Sequence, residues 1–276
     1  MPEVGSFSIA PLDIPADSSL AKELPRLKRH LKSESARLQE WHREGADGRK
    51  VCAARSAVID TLLATLFDWT LDTFEPKKSE RKLTMSLVAI GGYGRSELNP
   101  HSDIDFMLLH SGTTPSVTRI FNHELIEKLT GPGGLIYTLY DLGMKVGYSV
   151  RNIQDAVNVA NDDMQTKTSL IESRLISGDA GLFEQFLKRV EVKCVRSQID
   201  DYLQMRIADQ DARRVKFGNS ALLQAPNLKN GCGGLRDYQN LLWMTHFKYG
   251  TRTLTELEAQ EMIRPNNRAQ LEEGYG

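Results

Sequence analysis

Asp103 and Asp105 stand one residue apart at the start of the apolar run Ile104-Asp-Phe-Met-Leu-Leu109. On a strand, side chains two residues apart project to the same side, with Cβ atoms about 6–7 Å apart. Two carboxylates so placed repel each other unless a cation lies between them. Mg²⁺ suits the position, being a hard ion that one or two carboxylates hold together with substrate phosphates. Ser102 adds a hydroxyl beside the pair. Ahead of them a second apolar run, Leu83 to Ile90, ends in Gly91-Gly-Tyr-Gly-Arg95. Gly91 and Gly92 remove two Cβ atoms where the chain leaves that run, which lets backbone N–H groups come close to an anion. Gly94 and Arg95 extend the same logic, with pairing of Arg95 to Glu97 or another acidic neighbour as its structural alternative. The order strand, glycine turn, carboxylate pair, strand suits the holding of a metal-bound nucleoside triphosphate.

Other glycine and histidine motifs do not fit. Gly92-Tyr-Gly-Arg-Ser-Glu97 has a glutamate where a dinucleotide-binding turn needs its third glycine, and no Gly-Lys-Ser/Thr follows as in a P-loop. His123-Glu124 lacks the second histidine of a zinc-protease helix, and none of the six histidines precedes an aspartate.

The elements that must position the pair follow from periodicity. Met1 to Asp17, with three prolines, reads as a poorly ordered arm. Leu20 to Trp41 carries Leu24, Leu27, Leu31 and Leu38 on one helical stripe. After a break at Gly45-Ala-Asp-Gly48, Val51 to Phe74 repeats Val58, Leu62, Leu66 and Trp69 at helical spacing. Leu83–Ile90 and Ile104–Leu109 read as strands, Thr114 or Ser116 to Leu129 as a helix closed by Gly131-Pro-Gly-Gly134, and Lys145–Val150 as a third strand. Leu135–Leu142 fits either helix or strand. Beyond Arg151, helices are expected over Asn152–Ala160, Met164–Ile176, Gly181–Cys194 and Gln198–Phe217, the last with Ile199, Leu203 and Ile207 on one face. A further helix, Leu235–Tyr249, is expected to bury Leu241, Leu242 and Trp243. The fold class is α+β: a nucleotidyltransferase-type domain with N-terminal helices over 18–151, then a helical domain over 152–276 that ends as if truncated.

Composition narrows the partners. A formal net charge of -1 offers no electrostatic footprint for nucleic acid, and short basic clusters such as Pro76–Lys82 read as solvated surface. Cys52, Cys194 and Cys232 form neither a disulfide framework nor a zinc knuckle. Asp60, Asp68 and Asp72 interrupt the best candidate for a membrane span, so no membrane partner and a cytoplasmic location are expected.

Gly91-Gly-Tyr-Gly-Arg-Ser-Glu-Leu-Asn-Pro-His-Ser-Asp-Ile-Asp105 resembles the signature of nucleotidyltransferases of the DNA polymerase β superfamily, and most closely the PII signal protein uridylyltransferase family. Lys145–Arg151, Leu170–Asp179 and Pro226–Trp243, the last containing Gly233-Gly-Leu-Arg-Asp237, are similar to that family's later blocks in the same order. The resemblance implies a polymerase β-like fold, a small mixed sheet flanked by helices, followed by a helical domain with a triphosphate cleft between the two. It implies Mg²⁺ or Mn²⁺ on Asp103 and Asp105, phosphates against Gly91, Gly92 and Ser102, and transfer of UMP from UTP to a tyrosine hydroxyl of a PII-type signal protein. It also brings Arg236 and Asp237 to the nucleotide, where a purely structural reading has Gly233 and Gly234 simply starting a buried helix.

Two departures from the family pattern stand out. Gly147 occupies the position where related adenylyltransferases carry a third carboxylate, with Asp141 as a substitute, and nothing in the chain resembles the family's His-Asp hydrolase or sensing domains. An adenylyltransferase, a transferase with another acceptor, and a non-catalytic nucleotide-binding module therefore remain as alternatives.

Overall fold

The computed structural model describes residues 3–4, 7–75, 83–112 and 123–275. The expected start of a helix at Thr114 or Ser116 and the basic cluster 76–82 lie outside the described residues. The chain divides into two compact units, Met1–Ala160 with Gln165–Arg189, and Asn161–Met164 with Val190–Gly276.

In the first unit a short pairing of β1 (Glu3–Val4) with β2 (Phe7–Ser8) precedes two long helices, α1 (Leu20–Arg43) and α2 (Gly48–Asp72). The stretch ahead of α1, expected as an arm, contains Phe7 and Ile9, which are buried with Leu38, Ala54 and Val58. Apolar residues alternating along an extended chain can bury even in a stretch that contains prolines, which a reading by composition passes over. Asp47 caps α2, its carboxylate accepting from the N–H groups of Arg49 and Lys50. The α2 face carrying Ile59, Leu62, Leu63, Leu66 and Phe67 forms the centre of the core.

The sheet is built from β3 (Met85–Ala89), β4 (Ile104–His110), β5 (Val146–Arg151) and β6 (Arg174–Gly178), in the order β5-β4-β3-β6. β4 is antiparallel to β3 and parallel to β5, and β6 is antiparallel to β3, so the sheet is mixed. The turn after β3 forms one helical turn, α3 (Gly91–Gly94), and two short helices, α4 (Glu124–Thr130) and α5 (Leu135–Asp141), lie between β4 and β5 in the chain. Leu135–Leu142, which either periodicity fitted, is thus helical. The core joins Leu87 and Ala89 of β3 with Ile104, Phe106 and Leu108 of β4 and with apolar residues of α1, α2, α4 and α5.

α6 (Ile153–Asp162), α7 (Met164–Ile171) and α8 (Ala180–Val190) follow β5, with β6 between α7 and α8. The expected helix Met164–Ile176 therefore stops at Ile171, and Arg174–Gly178 joins the sheet. Pairing with β3, far away in sequence, decides this against a local pattern that has no clear alternation. It also moves the end of the sheet-bearing unit well past residue 151.

The second unit contains α9 (Ile199–Phe217), α10 (Leu235–Tyr249), α11 (Leu254–Ala259) and α12 (Pro265–Tyr275). The buried face of α9 is set by Tyr202 and Arg206, while Ile207 is exposed. Tyr202 stacks on Phe247 of α10, with ring centroids 3.6 Å apart, and Arg206 lies over Trp243, so two large side chains outrank the aliphatic stripe in orienting the helix. Trp243 is buried as expected, and Leu241 and Leu242 are half-buried.

His110, at the end of β4, is buried, and its Nδ1 accepts from the Gly112 N–H at 3.1 Å. Burial lowers its pKa, against a smaller opposing effect of Asp155. The unfolded chain therefore takes up a proton at higher pH than the folded one, and stability falls as pH drops through the ordinary histidine value of about 6.5 toward the folded pKa. His110→Asn, which keeps an acceptor for Gly112, is expected to flatten the acid side of a plot of melting temperature against pH between about 7 and 5. An unchanged slope would show that His110 does not contribute.

Candidate functional site

Asp105 is exposed while every other residue of β4 is buried. Strand alternation puts it on the side of Met107 and Leu109, opposite to the core-facing Ile104, Phe106 and Leu108. Across the parallel ladder its partner is Gly147 of β5, where a methyl group would overlap Asp105 Oδ1. The missing side chain at Gly147 is thus the space in which the Asp105 carboxylate lies.

Ser102 and Asp103 are exposed just ahead of β4. Three anchors on α2 hold the loop that leads to them. Ser56 Oγ accepts from Leu98 N–H at 3.2 Å, Cys52 Sγ donates to Asn99 Oδ1 at 3.5 Å, and Arg55 Nη2 donates to the Pro100 carbonyl at 3.0 Å. On the far side, the N–H of Ile104, between the two aspartates, donates to the Lys145 carbonyl at 2.9 Å. The pair is therefore strapped to a helix on one side and to β5 on the other.

The glycine turn begins directly across from Asp105, since Ile90 N–H donates to the Asp105 carbonyl at 3.0 Å. Gly91 has φ +59, a conformation open to glycine at little cost, and Gly94 packs so closely on the Glu172 carbonyl that a methyl group would overlap it. Arg95 donates to Glu97 at 2.7 Å and to Glu172 at 2.6 Å, taking the structural alternative the sequence offered. Burial opposes its charge, but the two carboxylates outweigh this and raise its pKa.

Tyr93 is buried, and its hydroxyl donates to Asp60 Oδ1 at 2.6 Å. Arg174 of β6 completes this arrangement. Its guanidinium meets Asp60 through two hydrogen bonds of 2.8 and 3.0 Å, reaches the Tyr93 and Gly94 carbonyls at 3.3 Å each, and lies over the Tyr93 ring. Burial and then the Asp60 carboxylate push the Tyr93 pKa well above 10 and keep its hydroxyl a donor. Sequence reasoning missed both residues. Asp60 registers there only as a charge interrupting an apolar helix, and Arg174 falls in a segment read as helix. A carboxylate on an otherwise apolar helix was the available signal.

Arg236 and Asp237 stand in the second unit. Asp237 accepts from Gly233 N–H at 3.0 Å, Arg213 at 3.1 Å and Gln210 at 3.3 Å, which ties the start of α10 to α9. Arg236 lies over Trp243, on whose ring Arg206 also lies. Asp141 ends α5 and is exposed. Among the described residues, no group of three His, Cys, Asp or Glu side chains is arranged to hold a metal ion, so no third carboxylate joins Asp103 and Asp105 there.

With this geometry in view, two family models match separate parts of the chain: glutamate-ammonia ligase adenylyltransferase over residues 13–127, and GlnD PII-uridylyltransferase over residues 201–276. A bifunctional uridylyltransferase/uridylyl-removing enzyme of Rhodospirillum rubrum is 32% identical over 216 residues, 78% of this chain and 22% of that protein. One from Rhodopseudomonas palustris is 29% identical over 238 residues, 86% of this chain and 24% of that protein. Over most of its own length the chain is similar to bifunctional uridylyltransferase/uridylyl-removing enzymes. It spans about a quarter or less of the length of those two relatives. The glycine turn and the aspartate pair fall inside the adenylyltransferase match, and Arg236 and Asp237 inside the PII-uridylyltransferase match. Among the described residues, no helix is long and apolar enough to cross a membrane.

Removing Asp60 leaves the half-buried Arg174 guanidinium without its carboxylate partner and the buried Tyr93 hydroxyl without its acceptor. Asp60→Ala is therefore expected to cost about 1–3 kcal/mol of stability. Urea denaturation checks this as a lower midpoint at unchanged slope; an unchanged midpoint would remove the clamp from the account.

Proposed function

We propose that the first unit is the catalytic part of a metal-dependent nucleotidyltransferase, moving UMP from UTP to a tyrosine hydroxyl of a PII-type signal protein. The observation that carries this reading is Asp105: a carboxylate exposed at the start of an otherwise buried strand, seated over a glycine and directly across from the glycine turn. The similarity to uridylyltransferases supports the reaction class.

Asp103 and Asp105 would hold Mg²⁺ or Mn²⁺, for which two carboxylates and the phosphates of a substrate are a suitable oxygen donor set. Such an ion, when bound, would neutralise triphosphate charge and favour the attacking tyrosine oxygen as a phenolate. Gly91, Gly92 and Ser102 would lie against the phosphates. A methyl group on Gly92 would make only ordinary contacts, with Arg95 and Glu97, so packing gives no reason for glycine there, whereas close approach of a ligand does. Arg95, held by Glu97 and Glu172, would act by keeping the turn in shape. In the transfer, the tyrosine oxygen forms a bond to the α-phosphorus as the bond from that phosphorus to the β-phosphate bridging oxygen breaks. Pyrophosphate leaves, and the hydroxyl proton passes to solvent or base.

A second reading keeps this chemistry with ATP as donor and another acceptor, and the adenylyltransferase family match over the turn and the aspartates favours it. The test incubates the chain with α-labelled UTP or ATP, Mg²⁺ and a PII-type protein. Label from UTP on the acceptor is expected; label from ATP alone would select the second reading. Metal-dependent nucleotide binding with no transfer to any acceptor would overturn both and leave a binding module.

Asp103→Asn and Asp105→Asn are each expected to lower transfer by about a hundredfold or more, the scale of losing a charge-stabilising group, with the melting temperature essentially unchanged. Gly147→Ala is expected to lower it by about ten- to a hundredfold by pushing the Asp105 carboxylate aside, the scale found when the support of a metal ligand is disturbed. Full activity in Gly147→Ala would show that the placement of Asp105 over Gly147 is not needed.

A further inference from the structure

A cavity of about 290 Å³ lies in the first unit among α1, α2 and the connection from α5 to β5, apart from the aspartate pair. One part of its lining is cationic, with Lys28 and Lys32 one turn apart on α1 and Arg55 on α2. The rest is largely apolar, including Leu31, Val58 and Met144. No carboxylate among the described residues lines it. Two lysines at this spacing on one helix repel each other mildly. Arg55 is half-buried and among the described residues forms no ion pair, and its buried Nε has no hydrogen-bond acceptor. Burial lowers its pKa, the mark of a cation removed from water without full compensation. A cavity near the lower end of the ligand-pocket range of roughly 300–1,000 Å³, joining the half-buried Arg55 side chain and two exposed lysines to an apolar wall, suits one kind of guest.

We propose that this cavity binds a small organic anion, a carboxylate head on a short apolar tail, and that its occupancy is felt by the Asp103–Asp105 segment. The head meets Arg55, Lys28 and Lys32, and the tail lies along Leu31, Val58 and Met144. Two hydrogen bonds carry the effect. Arg55, through Nη2, holds the Pro100 carbonyl just ahead of the aspartates, and Met144 precedes Lys145, whose carbonyl receives the Ile104 N–H. A guest that draws Arg55 or seats Met144 therefore acts at both ends of the segment.

Octanoate serves as the probe, with octanol and inorganic phosphate as controls, on the full chain without nucleotide, so that the outcome does not depend on the transferase reading. Calorimetry is expected to show saturable octanoate binding, with octanol and phosphate each bound at least about tenfold more weakly, the loss expected when the charge partner or the apolar contact is missing. Lys28→Gln/Lys32→Gln is expected to weaken octanoate by a similar factor, and Ser35→Trp, which fills the cavity from α1, to abolish binding while leaving the free chain folded. Amide hydrogen exchange over 99–105 is expected to change on adding octanoate to the parent chain and not to Ser35→Trp. Absence of saturable binding overturns the proposal, as does equal binding of octanol or phosphate, or binding indifferent to both variants. Unchanged exchange over 99–105 overturns the coupling to the aspartates.

Discussion

The geometry of the candidate site depends most on the guanidinium of Arg174. From β6 it pairs with Asp60 on α2 and binds the Tyr93 and Gly94 carbonyls of the turn between them. A glycine-rich turn has little side-chain packing to define it, and each glycine carries a large conformational entropy cost on ordering. Here the definition comes from outside the turn: a partly buried ion pair, a buried tyrosine hydroxyl bound to the same carboxylate, and the close approach of Gly94 to Glu172. Charge-assisted hydrogen bonds in a partly desolvated setting are stronger than surface pairs, which is why so few contacts suffice to hold the turn.

Held in this way, the turn faces the one exposed position of β4. Asp105 reaches solvent at the start of an otherwise buried strand, where Gly147 leaves room beside it. Register carries the arrangement. A slip of one residue between β4 and β5 would replace Gly147 by Val146 or Tyr148 and close the space. The same glycine occupies the place where related adenylyltransferases carry a third carboxylate, so a side chain there would have to turn the Asp105 carboxylate out of its present seat. Chain geometry thus gives Gly147 a role of its own.

The loop that carries Asp103 is held by Cys52, Arg55 and Ser56 of α2, while the Tyr93 turn is held by Asp60 of the same helix. One amphipathic helix therefore sets both halves of the site and forms the centre of the core through its other face. The second unit is organised differently, by Tyr202 stacking on Phe247 and by arginines over Trp243, and there Asp237 serves the start of α10 through Gly233 and Arg213.

Local pattern by itself determined the order of elements through the site: β3, the glycine turn, the aspartates, β4 and β5 are each written in runs of apolar residues and in the glycines that end them. It also determined that Asp103 and Asp105 stand one residue apart shortly after a glycine-rich turn, since both facts are set within a few residues. Only the tertiary structure decided that Arg174–Gly178 is a strand, that Phe7 and Ile9 are buried, and that α9 turns Tyr202 and Arg206 inward in place of Ile207. Each of these depends on partners distant in the chain. The clamp of Asp60, Tyr93 and Arg174 and the seat of Asp105 over Gly147 belong to the same class, because an ion pair across 114 residues and a register between strands leave no periodic trace in the sequence.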